Sequence, residues 1–420
     1  GNEASTSQSN NTVSLKDKLP PIITAIAISS DNTTVSLTLS EAVYNTNGGS
    51  GSLEVSDFSF TINEGTASLS SSSPNNLSSN GNVYTLGIGI SGTPNGSEIL
   101  TISPVDNGIY DAVGNEASTS QSNNSINLND KAAPTISSAT LSGDNSFVDI
   151  LANEGLYNAN GGSGALDIND FGLTFTKNSG NATAVSISSI RRNDNIQENS
   201  AVTLTGGEST IRFFLDITGT PNGAESIKIS PINSSSIYDK KGNAMSSNQS
   251  SGTKLLKDKI SPLISSVYLS PDNSTLAVTM SEAVFNTNSG SGTLEANDFI
   301  FSISGGNASL SNTTPSSISV SGNVYTLGIG LSGSVNGSES LTVNPIDNGI
   351  YDSAGNESST SQSNNSTTLY DKVLPVITGI ALASDNSSAA VTFSEAVFNA
   401  TGGSGALQAN DFVLSVTGGN

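Results

Sequence analysis

The sequence predicts an all-β chain made of repeated domains, and three observations support this fold class. Apolar and polar residues alternate in short stretches such as Val35-Ser-Leu-Thr-Leu39, which places Val35, Leu37 and Leu39 on one face of a strand. No stretch of ten residues has the 3.6-residue periodicity of an amphipathic helix. Long motifs also return at intervals as large as a whole domain.

The repeat is clearest in the segment Asp106-Asn-Gly-Ile-Tyr-Asp-Ala-Val-Gly-Asn-Glu116, which returns almost unchanged at 347–357 and more loosely at 237–243. Asp-Lys pairs begin at positions 17, 130, 258 and 371, so their spacings are 113, 128 and 113 residues (130−17, 258−130, 371−258). The Glu-Ala-Val or Glu-Gly-Leu motif and the Asp-Phe motif have the same spacings. These periods indicate domains, because solenoid repeats are only about 20–50 residues long.

These anchors divide the chain into three complete modules and two partial ones. We define module 1 as residues 17–129, module 2 as 130–257 and module 3 as 258–370. Residues 1–16 are interpreted as the last strand of a preceding repeat, and 371–420 as a truncated fourth module.

Module 2 is 15 residues longer than module 1, and the insertion lies near residues 176–205. An insertion confined to one place predicts a surface loop or a lengthened hairpin. It carries the adjacent Arg191 and Arg192, which are interpreted either as a contact point or as part of a decorated loop.

Each module contains about seven short strand patterns separated by Gly, Asn, Ser and Pro turns. This number of strands predicts tandem seven-stranded immunoglobulin-like β-sandwiches. The connection between modules is short and contains proline, as in Asp130-Lys-Ala-Ala-Pro134. Such a stiff connection favours modules that stack end to end as a rod.

The composition excludes several functional classes. Acidic residues outnumber basic ones by 36 to 14, and a net charge of −22 disfavours binding to nucleic acid or to anionic membranes. No window approaches the ~18 apolar residues of a membrane span, so no membrane insertion is expected in this segment. The chain has no Cys and no His, so disulfides and zinc-type sites are not expected. The missing His and Cys, together with the repetition, also argue against an enzyme.

Many acidic residues are predicted to meet at one pole of each module. If seven strands alternate in direction, the loop between the second and third strands lies at the pole where the chain enters, and so does the loop between the sixth and seventh. Both loops and the entering linker carry acidic or amide side chains. In modules 1 and 2 these are Asp17, Glu41, Asp57, Asp106, Asp111 and Asn115, and then Asp130, Glu154, Asp170, Asp239 and Asn243. In module 3 and the fourth module they are Asp258, Glu282, Asp298, Asp347, Asp352 and Asn356, and then Asp371, Glu395 and Asp411.

Carboxylates that converge without Lys or Arg partners repel one another unless a cation neutralises them. Ca²⁺ is the expected cation, because it takes six to eight oxygen ligands and tolerates irregular loops. The alternative is that Asp and Asn were selected for turn chemistry and bind no metal. Glu98, Glu225 and Glu339 lie near the opposite pole, where they approach the next junction.

A family resemblance rests on short motifs that recur through the modules. Ser40-Glu-Ala-Val43, Asp57-Phe58, Tyr84-Thr-Leu86 and Asp111-Ala-Val-Gly-Asn115, with Asp130 and Pro134 at the boundary, resemble the bacterial Ig-like repeats of very large surface proteins and adhesins. The resemblance implies cadherin-like extender modules that hold a binding tip away from the cell, many of them stiffened by calcium. The sequence lacks the dense Asp-x-Asn-Asp-x linker of cadherins, and module 2 departs from the motif with Lys240-Lys241.

The function expected first is therefore an extender or stalk segment of a secreted bacterial adhesin, located outside the cell at its surface. Its partners would be further repeats of the same chain. The alternative is a structural subunit of a filament or appendage in which identical chains pack laterally. Carbohydrate or ice binding is a third option, which the absence of Trp and the lack of a regular Thr array disfavour.

Overall fold

Module 1 forms nine strands in the computed structural model of the protein, which describes residues 1–418; the last two residues of the predicted 371–420 module lie outside this range. The strands are β1 (Ile23–Ile28), β2 (Thr34–Leu39), β3 (Phe58–Asn63), β4 (Ser68–Leu69), β5 (Leu77–Asn80), β6 (Val83–Gly87), β7 (Ile90–Ser91), β8 (Ile99–Pro104) and β9 (Ser125–Asn127). One turn of 3-10 helix, Val55–Asp57, precedes β3.

The main strands of module 1 form two antiparallel sheets, in the orders β1-β2-β6-β5 and β3-β8-β9, and β4 pairs with β7 beside them. Four strands facing three in this order is the arrangement of a constant-type immunoglobulin domain. The register places Val35 opposite Leu86 and Phe60 opposite Ile102. Because alternate residues face inwards, both sheets present apolar side chains to a single core.

Module 2 repeats this topology with seven strands. They are β10 (Ile136–Leu141), β11 (Phe147–Leu156), β12 (Phe171–Thr176), β13 (Ala184–Arg192), β14 (Glu208–Thr218), β15 (Ser226–Pro231) and β16 (Lys254–Leu255). Their sheets have the orders β10-β11-β14-β13 and β12-β15-β16. Two 3-10 turns, Ile168–Asp170 and Glu198–Ser200, complete the module.

Module 3 repeats the nine strands of module 1, again in sheets of four, three and two strands. They are β17 (Ile264–Leu269), β18 (Thr275–Met280), β19 (Phe299–Ser304), β20 (Ser309–Leu310), β21 (Ile318–Ser321), β22 (Val324–Gly328), β23 (Leu331–Ser332), β24 (Ser340–Pro345) and β25 (Ser366–Thr368). The partial fourth module contains β26 (Ile377–Leu382) paired with β27 (Ala389–Phe393). The 3-10 turns Ala296–Asp298 and Ala409–Asp411 lie in these two modules.

The chain divides into two compact units. The first comprises Gly1–Asn178, Ala182–Thr218 and Glu225–Leu256, and so holds modules 1 and 2 apart from two short loops. The second comprises those loops, residues 179–181 and 219–224, together with the chain from Lys257 onward. Within residues 1–418 no helix is long and apolar enough to cross a membrane.

Each complete module has its own hydrophobic core. The module 1 core contains Phe58, Phe60, Leu86 and Leu100, each at most 2% exposed. The cores of modules 2 and 3 are built from the equivalent strands and draw no residue from a neighbouring module. The tandem β-sandwich fold predicted from sequence is confirmed, including the inward face of Val35, Leu37 and Leu39.

The structure adds to or corrects the sequence predictions at three places, which are a main strand of module 1, residues 1–16 and the insertion of module 2. The fourth main strand of module 1 is β5, which lies in a Ser- and Asn-rich segment without clear alternation, and the segment near Ala67 forms the short β4, as its sequence predicts. Residues 1–16 contain no strand, because the equivalent β9 is held by a neighbouring β8 that they lack. The module 2 insertion is a lengthened hairpin of β13 and β14, as one of the two interpretations predicted.

Separate cores predict separate responses to core mutations. Phe60→Ala should lower the free energy of unfolding of module 1 by about 3–5 kcal/mol, because a buried phenyl ring leaves a cavity. Phe301→Ala should do the same to module 3. Hydrogen exchange resolved by peptide mass spectrometry should show faster exchange only in the mutated module. An equal loss of protection in modules 1 and 3 for either variant would contradict this.

Candidate functional site

The two acidic loops of each module are joined at one pole, as predicted. In module 1 the loop after β2 and the loop after β8 exchange two backbone hydrogen bonds, Tyr44 N to Tyr110 O at 2.7 Å and Tyr110 N to Tyr44 O at 2.8 Å. Gly114 has φ +90°, and a Cβ there would lie 2.5 Å from the carbonyl oxygen of Asn47. Only glycine allows this approach of the two loops.

An aspartate from the loop after β8 is fixed at the centre of this pole. Asp111 is 1% exposed, and its Oδ1 accepts hydrogen bonds from the backbone N–H groups of Val113 (2.9 Å) and Asn115 (2.7 Å). Its Oδ2 accepts one from the side-chain amide of Asn115 at 2.6 Å. Burial opposes ionisation of Asp111, but these hydrogen bonds outweigh burial and lower its pKa. Asp239 and Asp352 make the same set of contacts.

Three carboxylates come together in each complete module, one each from the linker, the end of the second strand or the loop after it, and the loop before the last strand. Within each group one carboxylate oxygen per residue lies within 4.8 Å of the others. We call these groups the acidic triads; they are Asp17, Glu41 and Asp111, then Asp130, Glu154 and Asp239, then Asp258, Glu282 and Asp352.

Burial, and after it the repulsion between the carboxylates, raises the pKa of the glutamate in each triad. Burial, followed by the charges of Asp239 and Asp130, raises the pKa of Glu154 to about 7. The pKa values of Glu41 and Glu282 are raised for the same reasons. Burial also raises the pKa of Asp130. The hydrogen bond from the Ala132 N–H opposes this increase, the charges of Asp239 and Glu98 add to it, and Lys241 opposes it in part. Each triad therefore holds more negative charge than its surroundings neutralise.

The donor set of the triads suits a hard divalent cation. All the side-chain donors are carboxylate oxygens, the ligand type that Ca²⁺ prefers. A backbone carbonyl also lies nearby, since the amide nitrogen of Asn243 is 3.3 Å from the oxygen of Asp130 and 2.7 Å from Oδ2 of Asp239. Because the nitrogen of Asn243 faces these oxygens, its observed role is to position Asp239. Asn115 and Asn356 face their aspartates in the same way.

The other predicted acidic residues lie outside the triads. The aspartates of the Asp-Phe motifs close the 3-10 turns, where their Oδ2 atoms accept backbone N–H groups three residues earlier, from Glu54, Asp167, Glu295 and Gln408. These capping aspartates are Asp57, Asp170, Asp298 and Asp411. Asp106 and Asp347 instead accept hydrogen bonds from their neighbouring asparagines. Asp371 and Glu395 belong to the partial module and join no triad among residues 1–418.

The linker between modules 1 and 2, within the first unit, is held by module 1 as it leaves. Leu128 N donates to Glu98 O at 3.0 Å, and Lys131 N donates to Pro94 O at 2.8 Å. Between them, the side chain of Asn32 accepts from Asn129 N and donates to Asn129 O, both at 2.8 Å. The side-chain amide of Asn32 thus makes with Asn129 the pair of hydrogen bonds that the backbone of a neighbouring strand would make.

Module 2 holds the same linker as it enters. Thr135 N donates to the side chain of Asn153 at 2.6 Å, Asn153 N donates back to Thr135 O at 3.0 Å, and Ile136 N donates to the side chain of Gln249 at 3.1 Å. In the second unit the linker of module 3 has equivalent bonds, from Tyr370 N to Asn273 and from Lys372 N to Val335 O. We call the hydrogen bonds that hold the linker backbone, as it leaves one module and as it enters the next, the linker clamp.

The sequence interpretation did not identify the linker clamp, although a signal for it was present. Asn32 follows Asp31 between two strand patterns, where its residue type is that of an ordinary turn. Equivalent asparagines nevertheless recur at 145, 273 and 386, with the same spacings of 113, 128 and 113 as the other anchors (145−32, 273−145, 386−273). Asn32, Asn145, Asn273 and Asn386 all have positive φ. Asparagine tolerates this backbone conformation and also presents a side-chain amide, which few other residues combine.

Comparison with known proteins gives likenesses of fold only. No family model and no curated protein matches the chain. The solved structure of the Escherichia coli adhesin FdeC is similar over 83% of this chain and 96% of that chain, at 13% identity and a TM-score of 0.34. The titin fragment I67–I69 is similar over 80% and 96%, at 12% identity and a TM-score of 0.23. The chain also covers 44% of the N-terminal part of the bacterial S-layer protein SbsC, at 16% identity and a TM-score of 0.20. Likenesses at these TM-scores carry no information on binding.

The titration of Glu154 predicts a pH dependence for metal-free protein. Its folded pKa of about 7 lies above the ordinary value of 4.5, so the folded state binds more protons between these values. The stability of module 2 should therefore fall as pH rises from about 4.5 to about 7. Hydrogen exchange of module 2 in chelator, corrected for the intrinsic rate at each pH, should show this loss of protection.

Glu154→Gln should flatten this pH response, because the amide does not ionise. Asp216→Asn, at an exposed site of the same module, is the matched control and should leave the response as in wild type. A Glu154→Gln variant that loses protection with pH as steeply as wild type would show that Glu154 does not ionise in this window.

Proposed function

We propose that this chain is an extender segment of a bacterial cell-surface adhesin, in which tandem sandwiches hold a binding tip away from the cell. The linker clamp carries the proposal. In a flexible string of domains the connecting backbone is solvated, whereas here Asn129, Lys131 and Thr135 each bond to a module. A linker bound on both sides transmits orientation from one module to the next.

The outward faces of the strands also suit an extender. Exposed strand positions such as Thr61, Ser78 and Ser79 carry short hydroxyl side chains. Hydroxyl side chains at these positions hydrogen-bond to water and offer no apolar surface for lateral association. A net charge of −22 adds repulsion between chains.

We further propose that the acidic triads bind Ca²⁺. Asp130, Glu154 and Asp239 would hold the ion in module 2, and the equivalent triads would hold it in modules 1 and 3. A bound Ca²⁺ would offset two of the three negative charges and connect the linker to the two other segments of the pole. Asp239 is already fixed by its backbone hydrogen bonds, so little ordering of that ligand is required.

Calcium titration tests the triads individually. Isothermal titration calorimetry of the whole chain should find about three sites, with dissociation constants in the range of about 10⁻⁴–10⁻³ M that is typical of extracellular modules. Glu154→Gln should remove one site and leave the other two unchanged. Asp170→Asn, which removes a capping carboxylate outside the triads, should keep all three. Unchanged stoichiometry in Glu154→Gln would exclude the module 2 triad as a calcium site.

Small-angle X-ray scattering tests the extender role. Residues 17–370 should give a maximum dimension close to that of three modules in line, in chelator as well as in calcium, because the clamp needs no ion. A compact or broadly distributed profile in both conditions would contradict the extender. If only calcium produces the long profile, the ion and not the clamp sets the rigidity. Growth of the scattering mass with protein concentration would instead favour the filament subunit.

A further inference from the structure

A buried carboxylate lies at the opposite pole of each complete module, away from the triads. In module 1 this residue is Glu98, which is 0% exposed. Its Oε1 accepts from the backbone N–H groups of Thr66 (2.7 Å) and Ala67 (3.0 Å), and its Oε2 accepts from those of Asn95 and Gly96 (both 3.0 Å). The carboxylate thus ties the segment after β3 to the turn before β8.

These hydrogen bonds keep Glu98 ionised although it has no Lys or Arg partner. Burial opposes the charge, but the bonds from Ala67, Thr66 and Asn95 outweigh burial and lower the pKa. The packing around the carboxylate is close, since a Cβ at Gly65 would lie 2.3 Å from the Glu98 carboxyl carbon. A negative charge enclosed by backbone N–H groups fixes the conformation of the segments that provide them.

The turn that Glu98 fixes is the surface that meets the next module. Pro94, at the start of this turn, accepts the hydrogen bond from Lys131 N. Gly96 lies against the side chain of Asp130, and a Cβ at Gly96 would be 3.2 Å from the Asp130 Cβ. Asp130 also belongs to the module 2 triad, so the turn of one module touches a triad residue of the next.

The second unit contains an independent copy of this arrangement. Glu339 is 0% exposed and accepts backbone hydrogen bonds from Asn307, Ala308 and Asn336. Val335 O accepts from Lys372 N, and a Cβ at Gly337 would lie 3.3 Å from the Asp371 Cβ. In sequence, Asn-Gly-x-Glu at 95–98, 222–225 and 336–339 is followed by Asp-Lys at 130, 258 and 371.

We propose that the Asn-Gly-x-Glu turn is a docking receptor for the Asp-Lys pair that opens the following module, and that Glu98 is the positioning residue of this receptor. The partner of the receptor is another module of this kind. The receptor recognises it through the backbone N–H of its Lys, as in Lys131, and through the fit of its Asp side chain against the glycine of the turn, as in Asp130 against Gly96. The proposal deepens the extender function, on which its biological purpose rests, but the docking itself requires neither calcium nor an adhesive tip.

Distances between spin labels test the receptor directly. The chain has no cysteine, so labels attach only where Cys is introduced. Thr61→Cys with Thr174→Cys places two exposed labels on modules 1 and 2, and Thr61→Cys with Ser79→Cys places both on module 1. Pulsed electron paramagnetic resonance in chelator then gives the distance distribution between modules and within one module. Glu98→Gln is nearly isosteric, but it removes the charge and replaces one of the two acceptor oxygens with an NH2 group that faces backbone N–H donors.

Glu98→Gln should at least double the width of the inter-module distribution and leave the intra-module distribution unchanged. Glu64→Gln, an exposed residue of the same module, should change neither. An inter-module distribution as narrow as wild type in folded Glu98→Gln would overturn the proposal, and Glu98 would then only stabilise its own module.

Gly96→Ala decides the case in which Glu98→Gln unfolds module 1, because it keeps the carboxylate and adds a methyl group to the receptor surface. Gly96 has φ +80°, so the substitution also strains the turn, and an unchanged intra-module distribution is the control for the fold of module 1. The inter-module distribution of this variant should also broaden, and a narrow one would overturn the proposal.

Calcium titration of the same spin-labelled samples distinguishes the docking receptor from the proposed cation sites. Intact docking without calcium binding would contradict only the proposed cation sites, whereas lost docking with normal calcium binding would contradict only the receptor.

Discussion

Carboxylates satisfied by backbone N–H groups are the interaction on which each module depends at both ends. Asp111 orders the loop before the last strand at one pole, and Glu98 orders the turn before β8 at the other. Neither uses a Lys or Arg partner. Of the side-chain substitutions only proline removes a backbone N–H, so this kind of pairing survives most variation of loop residues between modules. It also spares the ordering of a long cationic side chain, which costs up to about 2 kcal/mol.

The fold could be predicted from the sequence because its signals are periodic. Alternation marks β2 and its equivalents, and the repeat arithmetic separates the modules. The strand β5 was missed, since Leu77-Ser-Ser-Asn80 contains a single apolar residue and forms a strand only through its pairing with β6. Pairing with a neighbouring strand is a tertiary effect, which a local pattern does not contain.

The candidate site was predictable to the level of its loops but not of its ligands. Topology correctly brought Asp17, Glu41 and Asp111 to one pole. It also included Asp57 and Asp106, whose side chains turn to a 3-10 cap and to a neighbouring asparagine. The direction of a side chain depends on which N–H groups its own loop leaves unpaired, and this is settled only when the loop conformation is known. The linker clamp was not predicted from the sequence for the same reason, because Asn32 has the residue type and the φ of an ordinary turn residue.

Module 2 shows how much the structure shared by the modules can vary. Ser36 and Thr85 form a cross-strand pair in module 1, and Asp149 and Arg212 form the equivalent pair in module 2. The guanidinium of Arg212 lies 2.7 Å from the Asp149 carboxylate and 3.6 Å from the centre of the Phe147 ring. Arg212 also donates to Asn193 and Asn195, both in the inserted hairpin. A buried ion pair of this kind costs desolvation, which these extra acceptors and the aromatic face offset. Arg212 therefore holds the inserted hairpin to the sandwich, while Asp239 and Glu225 at the two poles of module 2 keep hydrogen bonds equivalent to those of Asp111 and Glu98 in module 1. Module 2 thus differs from module 1 in its middle and keeps the carboxylate contacts of its two ends, which are the contacts on which the proposed docking depends.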